Sequence, residues 1–185
     1  KEKNMAIKTM SASTGGDSKF SAGWHEMKIN KAEYGVWESG DTTKNYIDLW
    51  FEDYPDNTNL RIYEAVNKTT NEEFKIANVF KYANAGILGL LKDPTGKKPI
   101  IQFDDEASGL VGNKLNVYFY KEKKTGKGYT RLFDDIAPTS FVGEHISFDE
   151  SQVNAIKSGV EARFAKVEAR NGSAPAESSD EDMPF

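Results

Sequence analysis

Three groups of side chains in this 185-residue chain have the types and spacing to do chemistry. The first is aromatic. The chain holds 11 Phe, 8 Tyr and 3 Trp, and Tyr46, Trp50, Tyr63, Tyr118 and Tyr120 alternate with aliphatic residues in segments of period two. A ring held at a solvent-facing position offers a π-face to any planar partner. The second group is basic. Lys121, Lys123, Lys124, Lys127 and Arg131 set five bases against one acid, Glu122, around Tyr129 and a Gly-containing turn. Mobile cations of this kind neutralise a row of anions. The third group closes the sequence given. Asp180, Glu181 and Asp182 place three carboxylates before Met183, Pro184 and Phe185. Residues 171–179 ahead of them are Ser-, Ala- and Gly-rich and have nothing to build a core with, so they read as a tether. A tethered acidic peptide ending on an aromatic residue suits capture by a basic pocket, with the acids steering and Phe185 anchoring.

The positioning elements follow from periodicity. Residues 1–22 are Ser-, Thr-, Gly- and Lys-rich and read as a mobile segment. From Trp24 to Trp37 the pattern is a long strand, with Met27 and Ile29 on one face and a bend expected near Gly35. In residues 46–53, Ile47, Leu49 and Phe51 alternate with Tyr46, Asp48 and Trp50; in 60–66, Leu60 and Ile62 alternate with Arg61 and Tyr63. The period then changes, and residues 71–91 read mostly as helix, with Asn71 as N-cap and a possible break at Gly86. Residues 104–109 read as a short helical or turn piece. Strands return at 115–121 and 129–133, joined by the basic hairpin. Asp149 and Gln152 form a capping-box pattern, after which Val153, Ile156, Val160, Phe164 and Val167 recur at helical spacing to residue 170. Phe51 and Phe119 fall on the core parity.

Composition narrows the function classes. With no Cys and only His25 and His145, the chain has no thiolate metal site, no disulfide and little material for His-based catalysis. Neither a membrane-length apolar run nor a secretory leader is seen. The net charge is −5, but residues 171–185 hold four acids and no base. Removing them leaves 24 bases against 25 acids, so the body is nearly neutral and carries a local basic patch. The carboxylate clusters Asp104, Asp105, Glu106 and Asp134, Asp135 raise a magnesium-dependent nuclease as a hypothesis. Adjacent strand residues point to opposite faces, however, and chelate poorly as pairs.

The closing residues Asp180 to Phe185 resemble the C-terminal tip of bacterial and phage single-stranded DNA-binding proteins. The element order supports the same resemblance: three strands, a helix and two strands resemble the OB-fold, a five-stranded Greek-key barrel. The expectation is therefore a mainly β chain. An OB-fold barrel spans 23–148, with its helix between the third and fourth strands. An extra C-terminal amphipathic helix follows at 149–170, and a linker with an acidic tail at 171–185. The resemblance implies a protein without cofactor or catalytic activity that coats single-stranded DNA, with single-stranded RNA not separated from it. It also implies recruitment of replication, recombination or repair enzymes through residues 180–185, in bacterial or phage-infected cytoplasm, with homo-oligomerisation open. Trp37, Tyr46, Trp50, Arg61, Tyr63, Tyr118, Tyr120 and Tyr129 would serve as stacking platform and Lys121, Lys123, Lys124, Lys127 and Arg131 as phosphate partners. Two alternatives stand beside this. In one, the aromatics lie under a helix or a subunit interface and leave an interaction scaffold; in the other, the carboxylates serve a nuclease.

Overall fold

A strand of seventeen residues is too long for one flat sheet, and the segment from Gly23 to Ser39 solves this by changing partners midway. The computed structural model describes residues 20–54, 58–93, 96, 99–121 and 130–172. Among these, the order is β1 (Gly23–Ser39), β2 (Thr42–Phe51), β3 (Leu60–Tyr63), α1 (Lys75–Ala83), β4 (Ile87–Leu91), β5 (Ile100–Phe103), a 3₁₀ turn (Ala107–Leu110), β6 (Lys114–Lys121), β7 (Thr130–Ala137), β8 (Phe141–Val142), β9 (Ser147–Phe148) and α2 (Glu150–Gly172). Five antiparallel strands form one sheet in the order β3-β2-β1-β6-β7. It curls into a half-barrel whose edges β3 and β7 meet across a seam, and α1 lies between its third and fourth strands in chain order.

The core follows the alternation. Ile47, Leu49 and Phe51 of β2, Leu60 and Ile62 of β3, and Leu115, Val117 and Phe119 of β6 are all buried. Val79 and Phe80 of α1 fill the barrel from one side. Each such side chain gives about 1.5–3 kcal/mol on burial. Phe20 stacks on Phe119 at 5.0 Å and touches Tyr54 at 5.4 Å, so the folded body begins before Gly23, within the segment expected to be mobile.

The strand's irregularity lies at Asn30, not near Gly35. Up to Lys28, β1 pairs with β6, and from Ile29 it pairs with β2, with a register shift between Ile29 and Lys31. Gly35 has another task. A Cβ there would sit 2.3 Å from the Tyr46 ring, so glycine lets that ring lie against the β1 backbone.

The helix expected over 71–91 is a helix only from Lys75 to Ala83. Asn71 is not its cap. Its φ is +57°, and Glu73 instead accepts hydrogen bonds from the N–H groups of Ile76 and Ala77, each at 2.8 Å. Asn84 turns left-handed (φ 51°, ψ 42°), Gly86 follows at φ +63°, and residues 87–91 pair with β5. The leucines of this run are good helix formers, but hairpin pairing overrides that preference. α2 keeps the expected capping box: Gln152 N–H donates to Asp149 Oδ1 at 2.8 Å, and Asp149 N–H donates to Gln152 Oε1 at 3.0 Å. Val153 and Val160 are buried and Ile156 and Phe164 half-buried. Val167 is 42% exposed, so the last turns of α2 run past the sheet.

Gly86 tests this reading of the helix end. A Cβ there would meet the Asp104 carbonyl oxygen at 2.3 Å, on a backbone that L-residues adopt at a cost of about 1–2 kcal/mol. Gly86→Ala is expected to lower stability by at least that amount in urea denaturation. Gly89→Ala, whose Cβ meets open space, is expected to be neutral or slightly stabilising.

Candidate functional site

One unpaired residue in β1 decides which side chains face out. Strict alternation from Ile29 would send Lys31, Glu33 and Trp37 inward. The bulge at Asn30 reverses the parity, and the register pairs Lys31 with Trp50, Glu33 with Asp48, Gly35 with Tyr46 and Trp37 with Lys44. On the next strand Tyr46 stands opposite Tyr63 and Asp48 opposite Arg61. The outer face of β1–β3 thus gathers Trp37, Tyr46, Trp50, Arg61 and Tyr63 on one surface, as their alternation implied for all but Trp37, whose facing the sequence left open.

This face is held by specific contacts. Tyr46 and Tyr63 meet edge to face at 5.7 Å, and the Arg61 guanidinium lies 3.8 Å over the Tyr46 ring. Arg61 Nε and Nη2 donate to the two oxygens of Asp48 at 2.8 and 2.7 Å, a two-pronged pair that raises the guanidinium's pKa further. Asp48 is only 7% exposed. Lys31 Nζ sits 4.6 Å over Trp50 while bridging to Glu33 at 2.8 Å. Trp37 is 39% exposed, and Tyr46, Trp50 and Tyr63 are half-buried. Lys31, Lys44 and Arg61 oppose Glu33 and Asp48 on this surface, three positive charges against two negative. It is an aromatic surface of nearly neutral charge.

Tyr118 and Tyr120 also point out of the sheet, but there they meet α2. Phe164 lies 5.3 Å from Tyr118, 5.0 Å from Tyr120 and 5.3 Å from Phe133. Trp24 packs on Tyr118 at 5.2 Å and donates its indole N–H to Glu161 at 2.8 Å. For these two tyrosines the covered reading holds, because an apolar helix face competes for the same rings. Lys121 is exposed at the end of β6, and Arg131 is exposed near the start of β7. Lys123, Lys124, Lys127 and Tyr129 lie outside the described residues, as do Asp180, Glu181, Asp182, Met183, Pro184 and Phe185.

Hollows adjoin the half-barrel among the described residues. One, of about 520 Å³, opens at the seam between β3 and β7 and is lined by Tyr54, Asn59, Arg61, Thr130, Arg131 and Leu132 among others. Thr130 Oγ1 is buried there without a hydrogen-bond partner among the described residues. An orphaned buried hydroxyl costs about 1–3 kcal/mol. Burial raises the Tyr54 hydroxyl pKa, and the charge of Arg131 partly offsets this. The second hollow, about 550 Å³, lies between β1 and α1. Its Tyr34 hydroxyl is pushed up to about 12 by burial, helped by Asp105 and Glu73.

The sequence singled out neither the seam nor Thr130 and Lys31. A lysine on the apparent core parity was a signal that the parity breaks; the seam had no local signal, since its walls are seventy residues apart. The carboxylate clusters are otherwise engaged. Asp134 and Asp135 bridge to Lys75 at 2.8 and 3.4 Å, Asp135 also accepts from Arg163 at 2.7 Å, and Asp104 accepts the Glu106 N–H at 3.1 Å. Among the described residues no group of three or more acids or histidines is placed to hold a metal, and no helix is long and apolar enough to cross a membrane. No family model, no curated protein and no solved structure matches the chain.

The Asp48–Arg61 pair is expected to act as a unit. Arg61→Ala strands a buried carboxylate and is expected to cost about 1–3 kcal/mol. Asp48→Ala with Arg61→Ala removes both charges and is expected to be more stable than Arg61→Ala alone. Urea midpoints of the two variants check this.

Proposed function

We propose that this protein binds single-stranded DNA with little sequence preference and without breaking bonds, using the outer face of β1–β3 as its stacking platform. The observation that carries the reading is the gathering of Trp37, Tyr46, Trp50 and Tyr63 on one accessible, nearly neutral face. Every base has a π-face, and stacking on an aromatic residue gives about 1–3 kcal/mol per base without reading sequence. A sheet order of β3-β2-β1-β6-β7 with α1 between its third and fourth strands supports an OB-type barrel. In that fold the second and third strands and the loops after the first and fourth take the ligand. Here the residues that connect β6 to β7 in the sequence are the basic stretch 122–129. Because the platform holds three positive charges against two negative, most of the phosphate neutralisation falls to Lys121, Lys123, Lys124, Lys127 and Arg131. Since Tyr118 and Tyr120 are occupied by Phe164, the platform we propose is confined to β1–β3.

The acidic tail completes the proposal. Residues 180–185 recruit replication or repair enzymes to the coated strand, in the cytoplasm of a bacterium or a phage-infected host. Their carboxylates meet a basic rim and Phe185 fills the pocket within it.

Two measurements test this. Oligo-dT is expected to quench tryptophan fluorescence, with Trp50→Ala or Tyr63→Ala each weakening binding by about 1–3 kcal/mol in a folded protein. Unchanged affinity in both variants removes this face from the site. For the tail, deleting residues 171–185 removes four side-chain acids and is expected to raise DNA affinity, most at low salt. Deleting Phe185 alone keeps the side-chain charge, and is expected to leave DNA affinity unchanged while abolishing pull-down of a replication partner.

A further inference from the structure

The inner face of β1 continues past the core and ends uncovered. Tyr34 stands opposite the buried Ile47 and shares its facing with Val36, yet the two are 46% and 54% exposed. They line the hollow of about 550 Å³ between β1 and α1, together with Phe103 and the carboxylates of Glu64, Glu73 and Asp105. Among the described residues no Lys or Arg lines it. From this hollow the β4–β5 hairpin runs outward. Its base is fastened by Phe103, which stacks on Phe80 at 5.3 Å, and by the Asp104 N–H, which donates to the Gly86 carbonyl at 2.8 Å. Beyond that base, none of the described elements packs extensively on it. Leu90 stands opposite Ile101, and Ile101 shares its face with Phe103, so one apolar face runs from the hollow towards the tip. Leu90 is exposed on that face, and Leu91 and Ile100 are exposed beside it. A two-stranded hairpin is marginal in water by itself, and this one has both outer edges unpaired. Charge divides along its length. Asp104, Asp105 and Glu106 follow one another at the base, whereas residues 92–99, which connect the strands, carry Lys92, Lys97 and Lys98 against Asp93.

We infer that this face joins two copies of the chain, with the β4–β5 hairpins packed antiparallel about a two-fold axis so that each tip lies on the hollow at the other's base. Leu90 then meets Tyr34, Val36 and Phe103 of the second copy, and Lys92 meets its Asp105. A two-fold contact needs a surface complementary to itself, and a basic apolar tip beside an acidic, apolar-walled hollow is such a surface. A parallel arrangement would set base on base and oppose the acids. Because the hairpin that completes the hollow is carried on the same surface, the occupant is a second copy and not an unrelated basic protein. The five residues of β4 span about 17 Å, which separates tip from hollow enough for both contacts to form at once. Trp37, Tyr46 and Trp50 lie on the opposite face of β1 and β2, so the pairing leaves the proposed stacking platform open. The inference does not depend on single-strand binding.

Light scattering of the full chain at micromolar concentration is expected to give twice its 20.7 kDa. Leu90→Glu sets a carboxylate against the acidic hollow and is expected to weaken dimerisation at least about tenfold in sedimentation equilibrium. Its melting temperature is expected to match that of the unaltered chain measured dilute, since Leu90 is exposed in the single copy. Lys92→Glu and Asp105→Lys each reverse one exposed charge, and each alone is expected to weaken the dimer. Mixed in equal amounts, these two variants are expected to recover it. The reversed charges then face each other at one end, while the unaltered Lys92 and Asp105 meet at the other. A parallel arrangement does not predict that recovery. An unaltered chain that stays monomeric as concentration rises overturns the inference, and a lowered melting temperature for Leu90→Glu would then show that the same chain covers the face. A Leu90→Glu protein that dimerises like the unaltered chain also overturns it, as does a mixture of Lys92→Glu and Asp105→Lys that dimerises no better than either alone.

Discussion

Between Ile29 and Lys31, β1 carries one more residue than β2 carries between Phe51 and Trp50. Side chains alternate along a strand, so that single extra residue reverses the facing of everything after it. Before it, Met27 and Ile29 point into the core; after it, Ala32 packs inward while Lys31 and Trp37 turn out. The same residue marks where β1 leaves β6 for β2, so the curl of the sheet and the composition of its outer face share one cause. Without the bulge, Lys31 and Glu33 would face the core and their burial would cost far more than the strand pairing returns.

Cross-strand pairing then builds the outer face in rows. Tyr46 lies over Gly35 and against Tyr63, and Arg61 covers Tyr46 while clamped to Asp48. The rings are fixed by contacts among themselves and do not depend on a ligand to order them. A preorganised ring loses less conformational freedom when a planar partner stacks on it. If this face stacks bases as proposed, its near balance of charge would make that stacking depend little on salt, whereas a contribution from residues 121–131 would depend on it strongly.

Local pattern revealed much of this in the sequence, and its failures have identifiable causes. Ile47, Leu49, Phe51, Leu60 and Ile62 are buried as their alternation required, because one face of a curled sheet must be apolar. The capping box at Asp149 and Gln152 formed because it needs only residues three apart. The run 87–91 pairs as a strand although its pattern reads as helix, because Leu-rich sequence suits both and the choice rests on β5, a partner eight residues further on. The covering of Tyr118 and Tyr120 was equally hidden. Alternation states that a ring leaves the barrel but not what waits outside it, and Phe164 lies some forty residues away in sequence. The seam is the extreme case, since it exists only where the first and last strands of the sheet converge.

That convergence explains why α2 and the seam occur on neighbouring surfaces. A closed barrel has no edges, but this sheet ends at β3 and β7, which meet without joining into one ladder. An open edge strand is vulnerable to pairing with other chains. On β7 the outer face is protected by α2, through Phe133 against Phe164 and Arg163 on Asp135. On the seam side a mixed polar and apolar lining takes the place of a covering element, and Thr130 Oγ1 is buried there with no hydrogen-bond partner among the described residues. Closing the seam with an apolar pair would satisfy the fold better. As it stands, β3 and β7 approach without a shared hydrogen-bond ladder among the described residues, so the half-barrel keeps two edges that strand pairing does not protect.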